Sequence, residues 1–200
     1  MYIAQTNSTN TMLREMIAKG EPPAFVRAGY QTAGRGQAGN GWESEREKNL
    51  LCSILIEKQR IDTASLFYLN VAVSVAVRRV LGEDFTIKWP NDIVVHGKKV
   101  TGILTEMKAE ADKIEYVIVG IGINVNMQTF PEELEAVATS MAQVTGEVYD
   151  RSQIVKRFLE HFDVHYTNFV KEGDLSSLQE TYNKHLIHRN KQIHVHEIRR

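Results

Sequence analysis

The feature that most constrains the fold is a strand-rich stretch in the middle of the chain. Four runs of strand-like composition follow one another, separated only by polar or glycine-containing turns. The tetrapeptide HGKK between the second and third runs suits a hairpin turn. Strands are therefore predicted at Phe85–Trp89, Ile93–His96, Lys99–Lys108 and Ile114–Val125.

Helical patterns flank this stretch on both sides. Near the start, a helix is predicted after a polar turn in which Ser8, Thr9 or Asn10 can act as N-cap, and Gly20 ends it. Apolar residues at three- and four-residue spacing indicate helices further along. These are predicted at Asp62–Leu81, Arg151–Val170 and Leu175–Leu186, with a turn of helix after Pro131 and further strands at Ala24–Tyr30 and Leu50–Glu57.

Composition narrows the class of protein. The chain has 200 residues, which suits one domain or one domain with a small appendage. Its net charge of −1 argues against binding to duplex DNA or to a membrane surface, both of which usually need a basic excess. No apolar run reaches the roughly 18 residues of a membrane span. No signal peptide opens the chain, so a cytoplasmic location is predicted.

Cys52 is the single cysteine and lies in the apolar run LLCSILI. A single thiol cannot form an intramolecular disulfide. In this setting a buried small hydrophobic residue is favoured over a nucleophile.

A glycine-rich segment, GRGQAGNGW at residues 34–42, is the first candidate for chemistry. Glycines let backbone N–H groups approach a ligand closely, and such groups favour anions. Arg35 adds a fixed positive charge, and Trp42 could cover a ring. The segment is not a P-loop, and the alternative is a mobile surface loop.

The segment KWPND joins two of the predicted strands. Pro90 holds its neighbours rigidly because the proline ring fixes φ. Asn91 and Asp92 are then either ordinary turn residues or part of a site that handles phosphates together with a metal or an amine.

The next strand begins with KKVTGILTE. Strict alternation would place a lysine on a face that can meet a pocket, whereas Lys98 would point away. Gly102 inside the strand indicates a close approach by a ligand or another backbone. The alternative is a solvated hairpin lysine. The residues predicted to share one face are Lys99, Thr101, Ile103 and Thr105.

Two further patterns carry less weight. In GIGINVN, Asn124 and Asn126 share a face suited to the edge of adenine, although the segment lacks the third glycine and the helix of a dinucleotide fingerprint. Four histidines near the C-terminus match no usual ligand spacing, so no metal site is predicted. They are His185, His188, His194 and His196.

In order, NSTN, QTAGRG, KWPND, KKVTGILTE and GIGINVN resemble the biotin–protein ligase family, also called biotin–acetyl-CoA-carboxylase ligase. The resemblance covers about Met1–Tyr182 and points to the short class without a DNA-binding domain. It implies an α/β (α+β) catalytic domain, with a mixed β-sheet and helices packed on one face, like class II aminoacyl-tRNA synthetases.

The resemblance also implies the reaction and the partners. ATP and biotin, with Mg²⁺, would give biotinyl-5′-AMP, and a lysine of a biotin carboxyl carrier domain in a biotin-dependent carboxylase would then accept the biotin. Such chemistry depends on positioning and charge neutralisation rather than on a covalent nucleophile. The enzyme would act as a monomer or homodimer, without nucleic acid or membrane.

Matching positions imply roles for individual residues. Lys99, Arg35, Asn91 and Asp92 would be catalytic, the last two orienting the acceptor lysine or the metal. Biotin would be bound by Ser8, Thr9, Asn10, Gln31, Arg35, Gly36, Gln37, Lys99, Gly102 and Leu104. The nucleotide would be bound by Arg35, Gln37, Trp42, Lys88 and Asn124.

The chain departs from the family pattern in two places. Many members have arginine where this chain has Gln37, so looser retention of biotinyl-AMP is predicted. The family usually closes with a small SH3-like β domain, and residues 183–200 are predicted to be the start of a truncated one. The competing hypotheses are a lipoate–protein ligase, which shares the fold and the two-step chemistry, and a non-catalytic biotin- or nucleotide-binding module.

Overall fold

A mixed β-sheet forms the centre of the structure, a computed structural model that describes residues 1–57, 65–110, 113–172 and 176–192. Seven strands of the described residues lie in the order β1-β2-β3-β7-β6-β5-β4. Only β1 and β2 pair in parallel; the other neighbours are antiparallel. The strands are β1 (Tyr2–Ile3), β2 (Phe25–Ala28), β3 (Leu50–Glu57), β4 (Thr86–Lys88), β5 (Asp92–Val95), β6 (Lys98–Glu110) and β7 (Lys113–Ile123).

Helices pack against both faces of this sheet. The long helices α2 and α5, with α6, cover one face, here called the helix-covered face, and enclose the main apolar core. The first helix, α1, packs on the opposite face, where Leu13 meets Leu55 and Ile118. The helices are α1 (Thr9–Ala18), α2 (Ser65–Leu81), α3 (Glu132–Glu135), α4 (Met141–Thr145), α5 (Arg151–Glu172) and α6 (Ser176–His185).

The predicted mixed sheet with helices is confirmed, but the helices were predicted on one face, and α1 packs on the other because its apolar side meets Leu55 and Ile118. Element bounds differ from the prediction by a few residues. Ser8 is the N-cap of α1, but its side chain makes no capping hydrogen bond. Residues 62–64 of the predicted second helix lie outside the described residues, as does Leu175 at the predicted start of the last.

Alternation along the central strands separates two very different surfaces. Cys52, Ile103 and Ile121 lie side by side in neighbouring strands and belong to the main core. One residue further on, Gly102 and Gly122 pair on the opposite side of the sheet. That side, which also carries Gly120, is called the glycine face below.

The β5–β6 hairpin contains an irregularity that sets the position of Lys99. Its turn lies at His96 and Gly97, both with positive φ (49° and 80°), as HGKK predicts. The register then shifts, because Val94 pairs with Lys99 while the preceding Ile93 pairs with Thr101. Val100 is therefore an extra residue on β6, a β-bulge.

Because of the bulge, the prediction that Lys99 shares a face with Thr101 and Ile103 was wrong. Those two side chains are 0% and 1% exposed, and Ile103 belongs to the core under the helices. Lys99 instead lies on the glycine face, where a Cβ on Gly102 would come 3.2 Å from its Nζ. One inserted residue reverses the faces on either side of it.

The end of the described chain returns to the edge of the sheet. Leu186 forms a parallel bridge with Ile87, just after α6 ends at His185. The predicted strand of a further β domain falls mostly in residues 193–200, outside the described residues, together with His194 and His196. Within the described ranges, no helix is long and apolar enough to cross a membrane.

Candidate active site

Two adjoining cavities open on the glycine face. The first gathers most of the residues predicted for biotin and for catalysis. It is lined by Ser8, Thr9, Asn10, Gln31, Arg35, Gly36, Gln37, Trp42, Asn91, Asp92, Lys99, Gly102 and Leu104, among others. The second is lined by Lys88 and Asn124 together with Gly41, Trp42, Glu43, Asp92, Val94, Gly97, Lys99, Phe130, Leu134, Val137 and Ala138. Trp42, Asp92 and Lys99 therefore stand between the two cavities.

The polar end of the first cavity is built at the start of α1. The backbone N–H of Thr9 donates to Gln31 Oε1 at 2.8 Å, and the Thr9 hydroxyl lies 3.0 Å from the same oxygen. Ser53 Oγ donates to Asn10 Oδ1 at 2.5 Å and is 2.7 Å from Thr9 Oγ1. Thr9 and Asn10 are almost fully buried, so these contacts hold their donors and acceptors in fixed directions.

Glu106 of β6 connects this polar end to the glycine-rich loop. One carboxylate oxygen, Oε2, accepts from Asn10 Nδ2 and from Arg35 Nη2, each at 2.8 Å. The other, Oε1, accepts from Arg14 Nη2 at 2.9 Å. Arg35 is thus bound to a protein carboxylate here rather than directed at a phosphate site.

The floor of the cavity consists of glycines because larger residues would not fit. A Cβ on Gly122 would lie 2.5 Å from Trp42 Cε2, and one on Gly102 would lie 2.8 Å from Trp42 Cζ3. Gly120 makes the same room for Asn10. Trp42 Nε1 is buried and has no hydrogen-bond partner among the described residues.

Lys99 and Asp92 form the charged centre between the cavities. Lys99 Nζ lies 2.7 Å from Asp92 Oδ1 and 5.6 Å from the centre of the Trp42 ring. Their side chains are 37% and 20% exposed, so both remain accessible to a ligand. The arrangement offers a cation to an anionic ligand, with an aromatic face beside it.

The glycine-rich loop folds as a short hairpin over the first cavity. Gly36 N–H donates to Asn40 O at 2.7 Å, and Trp42 N–H donates to Gly34 O at 3.0 Å. A single 3₁₀ turn at Gln37–Gly39 closes it, with positive φ at Ala38 (55°) and Gly39 (80°). Gln37 is exposed at the cavity rim, and the N–H of Gly36 is used within the loop.

Asn124, which the resemblance assigns to adenine, lines the second cavity, but its amide already has partners within the protein. Its Oδ1 accepts from Asn49 Nδ2 at 3.3 Å, and its Nδ2 donates to Thr139 O at 3.2 Å. Asn124 is 4% exposed, so these contacts position the segment before α4. A direct hydrogen bond from Asn124 to adenine stays a prediction. It would require one of these two hydrogen bonds to break.

Asn91 and Cys52 also have well-defined settings. Asn91 Nδ2 donates to Ile103 O at 2.7 Å and ties the KWPND turn to β6.

Cys52 lies on the helix-covered face, and burial raises the pKa of its thiol to about 12. The thiol stays protonated near neutral pH, which agrees with its predicted role as a small hydrophobic residue.

Sequence reasoning missed two residues that organise the site. Ser53 is the polar residue within LLCSILI, and its fully buried hydroxyl contacts both Thr9 and Asn10. A single serine in an otherwise apolar strand could have indicated a polar contact at this position, since buried hydroxyl groups need hydrogen-bond partners. Glu106 ends the motif KKVTGILTE, which was a signal, but a glutamate in a strand resembles ordinary surface and was assigned no role.

The fold and this geometry can be compared with known proteins. The model of the biotin/lipoate A/B protein ligase family matches residues 2–124, more than half of the chain. The chain belongs to this family. A match of this extent confirms the predicted resemblance and includes β1 to β7 with the site between them.

Individual family members are similar over most of this chain. The bifunctional ligase/repressor BirA of Bacillus subtilis is 37% identical over 180 residues, covering 86% of this chain and 55% of that protein. The biotin–[acetyl-CoA-carboxylase] ligase of Mycobacterium tuberculosis is 31% identical, covering 80% of this chain and 61% of its own length. This chain thus spans little more than half the length of these relatives.

A solved structure shows the same fold. The biotin protein ligase from Aquifex aeolicus in complex with biotin and ATP superposes with a TM-score of 0.82 at 28% identity. The superposition covers 94% of this chain and 78% of that one. The order and pairing of the strands are therefore those of a biotin ligase catalytic domain.

Proposed function

We propose that this chain is a biotin–protein ligase that activates biotin with ATP to biotinyl-5′-AMP and transfers it to a lysine of a biotin carboxyl carrier domain. The observation that carries the proposal is the junction at Lys99 and Asp92, which both cavities share. An acid in one cavity and a nucleotide in the other would meet beside a fixed cation. The ligand named for the similar Aquifex structure, biotin with ATP, supports the same assignment.

The polar end of the first cavity suits the ureido ring of biotin. Thr9 and Asn10 supply a hydroxyl and an amide that can both donate and accept, and the buried Ser53 hydroxyl behind them fixes their directions. The first cavity extends from this end to Lys99, beside the Trp42 ring that packs on the glycine floor. Biotin in this orientation would direct its carboxylate toward the junction.

At the junction, catalysis would depend on charge. As the biotin carboxylate attacks the α-phosphate and pyrophosphate leaves, negative charge grows on the phosphoryl oxygens. The Lys99 ammonium would stabilise that charge, once the incoming anion competes with Asp92 for it. No side-chain nucleophile is needed, because the reacting groups both belong to the substrates.

The residues at the junction fit a magnesium ion that arrives with ATP. Among the described residues there is no cluster of three His, Cys, Asp or Glu side chains that could hold a metal. Mg²⁺ in such sites is held mainly by phosphates and water, with one or two carboxylates, and it screens phosphate charge. Asp92 is the carboxylate at the junction.

Asn91 and Asp92 were both expected to orient the acceptor lysine, but their surroundings differ. Asp92 lines both cavities and could accept a hydrogen bond from the incoming lysine, whose neutral amine would attack the activated carboxyl, form the amide and release AMP and a proton. Asn91 lines only the first cavity, and its amide nitrogen is bound to Ile103 O. We therefore propose that Asn91 acts by holding the turn that carries Asp92.

The decisive experiment is an incubation of the chain with biotin, ATP, Mg²⁺ and a carrier domain, with mass spectrometry of the carrier. We expect a mass gain of one biotinyl group on a single lysine. Lipoic acid in place of biotin is the matched control, because a dithiolane ring has no polar edge for Thr9 and Asn10. Modification with lipoate alone would favour a lipoate ligase, and binding without pyrophosphate release would favour a non-catalytic module.

A further inference from the structure

Glu106 lines neither cavity, yet three donors from two parts of the site converge on it. They come from Asn10 and Arg14 of α1 and from Arg35 of the glycine-rich loop. The Glu106 side chain is 24% exposed, and its contacts with Asn10 and Arg14 are partly buried, whereas the Arg35 side chain is 39% exposed. We propose that Glu106 is a positioning residue, which orients Asn10 for the ligand and holds the glycine-rich loop on the sheet while the site is empty.

The orientation of Asn10 follows from the chemistry of its two neighbours. A carboxylate can only accept hydrogen bonds, so Nδ2 of Asn10 must face Glu106 at 2.8 Å. Oδ1 must then face Ser53, whose hydroxyl donates to it at 2.5 Å. Asn10 is 3% exposed, and Nδ2 also donates to Leu104 O at 3.3 Å, so Glu106 strengthens, with a shorter and charged contact, an orientation that the backbone carbonyl also favours.

The hold on the loop depends on how the two oxygens are shared. Arg14 occupies Oε1, which leaves Oε2 to Asn10 and Arg35 together. Without Arg14, Oε1 of Glu106 would lose its partner, and the Glu106 side chain would be less constrained. Arg14 does not line either cavity, so any effect of this residue on binding must pass through Glu106.

The inference rests on the proposed function for its ligand, biotin, but the loop contact can be tested without one. In Glu106→Gln the negative charge is lost and one acceptor oxygen becomes a donor. We expect amide hydrogen exchange in residues 34–42 of the ligand-free protein to become several-fold faster. We also expect the Kd for biotin to rise about tenfold or more, since a hydrogen bond to a charged group is lost.

A matched control is available on the neighbouring strand, β7. Glu115 has a similar exposure, 27%, and pairs with Lys108 at 2.7 Å away from both cavities. Glu115→Gln should leave loop exchange and biotin affinity as in the unchanged protein. Thermal unfolding of each variant separates these effects from a general loss of stability.

A double-mutant cycle with Arg14 completes the test. Arg14→Gln should weaken biotin binding about threefold, and combined with Glu106→Gln it should add nothing. Additive effects, or unchanged loop exchange and unchanged biotin Kd in Glu106→Gln, would overturn the inference. If the unchanged protein bound no biotin, the proposed function would fail instead, and loop exchange would still decide the role of Glu106.

Discussion

The two faces of the central sheet are built from the same strands but from opposite kinds of residue. On the helix-covered face, β3, β6 and β7 carry Cys52, Ile103 and Ile121 into a closely packed core. On the glycine face, the neighbouring positions are Ser53, Gly102 and Gly122. Adjacent residues of one strand therefore serve different purposes. One packs in the core and stabilises the fold, and the next forms a wall of the site.

The largest expected contrast lies between two adjacent residues of β7. Ile121→Ala should lower the free energy of unfolding by about 2–5 kcal/mol, because it leaves a cavity under the helices. Gly122→Ala should leave that free energy within about 1 kcal/mol but weaken ligand binding about tenfold, because its Cβ would displace Trp42. Chemical denaturation and calorimetric titration measure the two quantities separately. Similar losses of stability in both variants would contradict the division between faces.

A second test compares two adjacent lysines at the start of β6. Lys99→Met should lower kcat for pyrophosphate release about 100- to 1,000-fold, as expected for removal of a charge that stabilises the transition state. Lys98 instead donates to Glu135 O at 2.6 Å, and Lys98→Met is the matched control with nearly unchanged kcat. Equal rates for the two variants would show that Lys99 does not act at the reacting atoms.

The glycine-rich loop supplies a third, smaller effect. Gln37 lies at the rim of the first cavity and carries no charge. Gln37→Arg should slow release of bound biotinyl-5′-AMP about tenfold or more through a charge-assisted hydrogen bond to its phosphate. Release can be followed by trapping the free adenylate after rapid dilution. Identical release rates would refute the idea that Gln37 loosens the intermediate.

The helix-covered face should show its own dependence on pH through His165. Its side chain is 4% exposed, and burial, with Arg79 and His161 nearby, lowers its pKa to about 4. The unfolded chain therefore takes up the proton near pH 6.5, before the folded protein does, so this contribution to stability is lost as pH falls from about 7 to 4. The expected loss between pH 7 and 5 is up to about 2 kcal/mol.

Urea unfolding of His165→Leu at both pH values measures that contribution. The variant should lose stability less steeply on acidification, whereas His188→Gln, at an exposed position, should follow the unchanged protein. An unaltered pH dependence in His165→Leu would assign the effect to other groups.

The sequence predicted the elements of the sheet well because each strand carries a strong local pattern. It could not predict the bulge at Val100, since an inserted residue leaves no mark in a period-two pattern, and this placed Lys99 on the wrong face relative to Ile103. All of the residues implied by the family resemblance line one or both of the two cavities. Their partners were harder to foresee, because Glu106 contacts Arg14 and Arg35 across 92 and 71 positions of the chain.

The packing of Trp42 over the glycine floor gives the protein a built-in optical reporter. The chain has two tryptophans, and the other, Trp89, is 61% exposed. In Trp89→Phe the remaining indole emission would come from Trp42 alone, a ring whose surroundings must change when a ligand enters either cavity. Its emission wavelength would then follow occupancy of the site in real time, without a label.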